Sequence, residues 1–146
     1  MASPWYFEDI EVGEVHTFGH HQVASAEISD FHHRFAPHLP LRAIQPAEGR
    51  KGAPAAQAHV YAIWSRLLYE ECQDWPILAR LGQDALRWYK TVHAGDALSV
   101  RLTFMAKEPT HADRGILVTQ HDVLNPTGEL VMALLTRTVI ARRPQA

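Results

Sequence analysis

From Ala53 to Cys72 the chain is apolar or small at almost every position, with Gln57, His59, Ser65 and Arg66 as the exceptions before Tyr69. A surface helix carries one apolar stripe and one polar face. A stretch that is apolar nearly all round predicts one long central helix enclosed by other structure. Pro54 fits its first turn, where a missing N–H costs nothing. The stretch is too short and too interrupted by polar groups to span a bilayer. Ala53, Ala55, Ala56, Ala58 and Ala62 would let neighbouring backbone approach closely. Gly52 and Ala53 offer no side-chain oxygen as a cap, so the first N–H groups of the helix lack a local acceptor. Such groups hold an anion or a polarised carbonyl, or are satisfied by water or another part of the chain.

The remaining pattern sorts into short elements. Trp5 to Ile10 is an aromatic lead-in, and Val15 to Phe18 reads as a short strand ending at Gly19. Ser25 is placed to cap a helix from Ala26 to about Phe35, with Glu27 in its first turn and Pro37 as its stop. Ile28, Phe31 and Phe35 would share its inner face. Ala36 to Gly52 is a long loop rich in proline and glycine, of the kind that often carries function. After the central helix, Pro76 to Leu81 suggests one more short helix before Gly82. Ala85 to Val92 then reads as a strand and His93–Asp96 as its turn. Leu98, Val100, Leu102 and Phe104 alternate with polar residues, the mark of a half-buried strand. Gly115 to Leu124 and Leu130 to Ala141 complete the set, joined by the turn Asn125–Gly128. Consecutive strands with hairpin-length connections pair antiparallel, and segregated helix and sheet make an α+β fold. One enclosed helix and a curving antiparallel sheet predict a hotdog, a single domain over residues 1–146. Its outer sheet face would stand open in a monomer, so a homodimer or higher homo-oligomer is expected.

Composition narrows the setting. Apolar residues make up 47% of the 146 and charged residues 21%, which suits a soluble globular chain. A net charge of −2 gives no electrostatic case for nucleic acid or an anionic membrane surface. The single cysteine, Cys72, cannot form an internal disulfide, and the N-terminal residues carry no basic-then-apolar signal pattern. A cytoplasmic location is the expectation.

Four blocks carry a family resemblance: Trp5-Tyr-Phe-Glu-Asp-Ile-Glu-Val-Gly13, the helix Ala55 to Leu68, Leu86 to Asp96, and Val123-Leu-Asn-Pro-Thr-Gly128. In this order and spacing, from about residue 5 to residue 143, the chain resembles the MaoC-like dehydratases. These are hotdog proteins, many of them (R)-specific enoyl-CoA hydratases or 3-hydroxyacyl-thioester dehydratases. The resemblance implies an acyl-CoA or acyl carrier protein thioester as substrate, coenzyme A entering only as part of it, and no separate cofactor. The family motif resembles Asp-x-Asn-Pro-x-His just after the first helix. Here its Asp position falls on Ala36 and its His position on Leu41. Neither side chain moves a proton. The family's oxyanion donor, at a glycine near the start of the central helix, aligns with Gln57.

Hydration of an α,β-unsaturated thioester needs a base for water, an acid for the α-carbon and donors for the thioester oxygen. His38, between the two empty dyad positions, is the first candidate to carry protons; the alternative is a solvated loop histidine. His59, two residues beyond Gln57, is either catalytic or a buried histidine hydrogen-bonded to backbone. Arg50 and Lys51 are candidates for the coenzyme A phosphates, or a solvated basic pair. Arg87 and Trp88 match the family's strand motif and are expected to be structural or at an interface. His32 or His33 with His38 lacks the third ligand of a recognised metal spacing, so no metal is expected. Two further readings remain: a non-catalytic acyl-thioester-binding subunit, and a thioesterase, for which Glu70 and Glu71 lie at the wrong end of the helix.

Overall fold

The computed structural model describes residues 5–37 and 52–145. A single 3-10 turn, Phe7–Asp9, leads into β1 (Val15–Gln22) and α1 (Ser25–Phe35); α2 (Gln57–Cys72) follows, then β2 (Ile77–Trp88), β3 (Ala97–Pro109), β4 (Arg114–Leu124) and β5 (Leu130–Ala141). The five strands form one antiparallel sheet in the order β1-β3-β4-β5-β2. It curves round α2 as a hotdog. Leu98, Val100, Leu102 and Phe104 on β3, with Val123 on β4, pack against Val60, Ile63, Trp64 and Leu67 of α2. The predicted alternation of β3 is therefore its core face, and β5 has the predicted limits.

α2 differs from the expectation in two ways. It starts at Gln57, three residues beyond Pro54, where the stretch before it is tied to distant partners through the Pro54 carbonyl and the Ala55 N–H. Its buried positions (His59, Val60, Ile63, Trp64, Leu67, Leu68 and Cys72) form one stripe, and Ala58, Ala62, Ser65 and Tyr69 are exposed. Among the described residues the sheet covers one side of the helix. Burial pushes the Cys72 thiol up to about 12, which makes it an inert core group.

Three other expectations are corrected. β1 runs through Gly19 to Gln22, with a bulge between Phe18 and His21. Gly19 has φ +83°, and a Cβ there would stand 3.1 Å from Leu67 Cδ2, so glycine permits both the bulge and the approach of α2. Residues 77–81 are the first part of β2, not a helix, and β2 ends at Trp88. Pairing with β5 overrides the helical propensity of this segment, at the cost of three bulges, one with Ala85 at φ +54°. In α1 the buried positions are Ile28 and His32, whereas Phe35 is exposed, its ring tilted against Phe31 at 5.1 Å.

β4 and β5 bring a polar layer under the C-terminal half of α2. Thr119, His121, Thr136 and Thr138 are all buried. His121 shares a 3.0 Å hydrogen bond with Thr136 Oγ1 and meets the Trp64 ring edge-on at 5.2 Å. Burial pushes the His121 pKa down to about 4, opposed by Asp122 and reinforced by the charge of Arg80. The imidazole is thus neutral in the fold while the unfolded chain binds a proton below about 6.5. Its contribution to stability is full above that pH and is lost as pH falls toward 4. At roughly 1.4 kcal/mol per pH unit the loss amounts to about 3 kcal/mol. Urea unfolding at pH 7, 5.5 and 4.5 is expected to show that decline in the native protein and a clearly shallower one in His121→Leu.

Candidate functional site

The residues before α2 shape a cavity. Gly52 takes φ +80°, a conformation that favours glycine, and residues 53–56 lie outside helix and strand, with Ala56 extended. Ala55 N–H donates to the Val92 carbonyl at 2.7 Å, and His32 Nε2–H donates to the Pro54 carbonyl at 3.2 Å. The indole N–H of Trp88 donates to the Gln57 carbonyl at 3.0 Å, fixing the end of β2 to the first turn of α2. Between these segments lies a cavity of about 630 Å³. It is lined by His32, residues 52–57, Val60 and residues 88–92.

Two chemical features meet there. Ala56, the N-cap, has φ −61° and ψ 150° and supplies no side-chain acceptor; His59 N–H turns back to the Ala56 carbonyl at 3.0 Å, and the Gln57 and Ala58 N–H groups have no acceptor among the described residues. That turn, starting at Gln57, is one wall of the cavity. The other feature is His32, buried on α1, which the sequence reading weighed only as a metal ligand. Its Nε2 proton is committed to the Pro54 carbonyl, which leaves Nδ1 as a lone-pair nitrogen. Nδ1 is buried and has no partner among the described residues. The only sequence signal for His32 was its place four residues after Ile28, on the inner stripe of α1. Lys90, also at the cavity, is paired with Glu129 at 2.7 Å.

The sequence candidates fall as follows. Gln57 lines the cavity. Ala36, where the motif resemblance sets the first dyad position, is buried just beyond α1 with its N–H donated to the His32 carbonyl. His38, Leu41, Arg50 and Lys51 lie outside the described residues. His59 is buried but is not among the cavity-lining residues. Its partner is a side chain and not the backbone: Nε2–H donates to Glu27 Oε2 at 3.1 Å, and its ring stacks on Phe31 at 4.8 Å. Glu27 also accepts from His21 Nε2 at 3.0 Å and from Ala24 N–H at 2.8 Å. Burial works against its ionisation, but the Ala24 N–H, His21 and His59 together hold its carboxyl below the usual carboxylate range. This cluster ties β1, α1 and α2 together beside the site. Among the described residues no three His, Cys, Asp or Glu side chains are grouped so as to hold a metal ion, and no helix is long and apolar enough to cross a membrane.

No family model and no curated protein matches the sequence. Solved structures do match over its whole length. A MaoC-like dehydratase from Rhodospirillum rubrum superposes with a TM-score of 0.80 at 33% identity, covering 96% of this chain and 99% of that one. A monoamine oxidase regulatory protein from an Archaeoglobus species gives 0.81 at 22% identity, with 98% of each chain covered. An R-hydratase from Pseudomonas aeruginosa gives 0.69 at 23%, covering 97% of this chain and 88% of that one. The last two likenesses concern the fold; the first reaches the family.

Proposed function

Because the chain belongs to the MaoC-like dehydratase family, we propose that it acts on acyl thioesters as a hydratase or dehydratase whose dyad has been replaced. The observation that carries this reading is that the first turn of α2 at Gln57, without a side-chain cap, and His32, whose buried Nδ1 has no partner among the described residues, line one cavity. In hydration, His32 Nδ1 takes a proton from water as the water oxygen bonds to the β-carbon. The π pair moves through the α-carbon to the thioester oxygen, which the Gln57 N–H holds as charge develops. The imidazolium then returns a proton to the α-carbon, so water is added across the double bond and the histidine is regenerated. Arg50 and Lys51 immediately precede Gly52, a cavity residue, and in this reading meet the phosphates of coenzyme A. His38 remains a second proton carrier to be tested beside His32.

The test is hydration of short and medium trans-2-enoyl-CoA by the purified protein, with His32→Gln and His38→Ala alongside. Glutamine can still donate to the Pro54 carbonyl but has no base. His32→Gln is expected to lose about tenfold of the rate or more with its melting temperature nearly unchanged. Loss in His38→Ala alone would move the proton carrier to residue 38. A second reading, a binding subunit without chemistry, is favoured by the buried methyl of Ala36 at the dyad position. A native protein that binds acyl-CoA yet hydrates nothing would establish it.

The same reading includes a homodimer. β2 pairs only with β5, its outer edge is unpaired among the described residues, and Leu78 and Leu81 on it are more than half exposed. Light scattering on the eluted protein is expected to give twice the chain mass, and Leu78→Glu/Leu81→Glu to shift it toward the monomer. A monomeric native protein at micromolar concentration would reject this assembly.

A further inference from the structure

Two hydrogen bonds brace α1 against the segment that carries Gln57. His59 Nε2–H donates to Glu27 Oε2 at 3.1 Å, and His32 Nε2–H donates to the Pro54 carbonyl at 3.2 Å. Glu27 and His32 are five residues apart on α1, and Pro54 and His59 are five apart on the facing segment. The earlier residue of α1 meets the later residue of that segment, so the two bonds are laid down in antiparallel order. Gln57 lies between the two anchors, and His32 belongs to one of them.

Little else fixes the angle of α1. Its buried residues are Ile28 and His32, and the burial of one aliphatic side chain is non-directional. Phe31 adds a ring stacked on His59 at 4.8 Å, with the planes only 6° apart. Positions 27, 28, 31 and 32 share one face of a helix, so a single face of α1 makes all these contacts. Glu27 is itself held in place. Its Oε1 accepts from Ala24 N–H at 2.8 Å and from His21 Nε2–H at 3.0 Å. Closing the start of α1 needs only the first of these bonds. The others reach to β1 and α2. The His59 ring is buried, and its bond to Glu27 is its one hydrogen bond among the described residues, where Nδ1 has no partner.

We propose that Glu27 is a positioning residue for the proton-transfer step. Through His59 it holds the first turn of α2 against α1, and so sets His32 Nδ1 in register with the Gln57 N–H. The inference rests on the hydratase reading above and adds to it a residue outside the cavity. Neither Glu27 nor His59 lines that cavity, so losing their bond leaves the substrate-contacting surface in place. A displacement of about 1 Å between reacting groups can cost up to about 10²-fold in rate. A cluster that only stabilised the fold would lower the melting temperature and leave kcat unchanged.

The test is kcat and KM for hydration of a trans-2-enoyl-CoA by the native protein, His59→Leu, His59→Gln and Glu27→Met, each with its melting temperature. Leucine fills the place of the imidazole without a donor, whereas glutamine sets an amide N–H close to where Nε2 stands. Methionine matches glutamate in length and lacks the carboxylate. His59→Leu and Glu27→Met are expected to lose about tenfold of kcat or more with KM within about twofold, and His59→Gln to keep most of the rate. Glu27 is 30% exposed, so Glu27→Met decides the matter where His59→Leu fails to fold. Full kcat in either of these variants, whatever its melting temperature, would overturn the inference. So would a loss in His59→Gln as large as in His59→Leu, which would make the imidazole itself the working group. A native rate that survives His32→Gln removes the group being positioned and overturns it too. A native protein that hydrates nothing overturns it together with the hydratase reading.

Discussion

Gln57→Pro is expected to fold and to lose about 10²–10³ of the hydration rate, while Gln57→Gly keeps most of it. The contrast works because of the local backbone. Gln57 is the first residue of α2, the position where proline is best tolerated, since its N–H has no intrahelical acceptor. A proline also demands an extended residue before it, and Ala56, at φ −61° and ψ 150°, already has that conformation. The substitution therefore deletes one N–H at the cavity wall with little conformational cost. The Trp88 bond survives, because it uses the Gln57 carbonyl. Glycine removes the side chain and leaves the N–H, so it separates crowding by the amide from loss of the donor. Stopped-flow hydration of a trans-2-enoyl-CoA reads both variants, with circular dichroism confirming that α2 is retained. Equal rates in proline and native protein would remove the Gln57 N–H from the mechanism.

How far the sequence foretells this site depends on whether the determining contacts are local. β3 and β5 are legible because alternation and apolar length decide them: Leu98 to Phe104 bury every second residue, and residues 130–141 stay a strand from end to end. The start of α2 is not legible. Pro54 obeys the local preference for a first helical turn, yet its carbonyl is held by His32, 22 positions away, and Ala55 is pinned to Val92. Residues 77–81 carry helix-forming leucine, alanine and arginine, and only the long-range ladder with β5 makes them a strand. The same holds for the chemistry. Glu27 reads as a helix-terminus carboxylate, and its bond to Ala24 N–H is that role; its bonds to His21 and His59 appear only when β1 and α2 arrive. His32 has no motif around it, and its significance comes entirely from the Pro54 carbonyl and the cavity beside it. What the resemblance to the family motif implied was a loss: it sets the dyad on Ala36 and Leu41, side chains that cannot carry a proton.

Ala36→Asp/Leu41→His is accordingly expected to raise hydration by about 10²–10⁴ over the native protein, the range one well-placed acid–base group commands. The single Ala36→Asp variant is expected to gain little and to be less stable by a few kcal/mol. Ala36 is only 6% exposed, so an aspartate there would be a buried carboxylate without a countercharge, next to the end of α1. Its pKa would rise, and the stability of the single variant would fall as pH climbs through the range where the unfolded chain ionises and the folded one resists. A histidine at 41 supplies the partner that the family motif pairs with that aspartate, so the double variant should recover stability as well as gain rate. Measuring kcat/KM and urea midpoints for native, single and double variants separates two histories of this cavity. A large gain in the double variant means that the oxyanion donor and substrate pocket are intact and that proton transfer limits the native protein. No gain, with His32→Gln still inactivating, means that His32 has taken over the chemistry and that the old dyad position no longer faces the substrate.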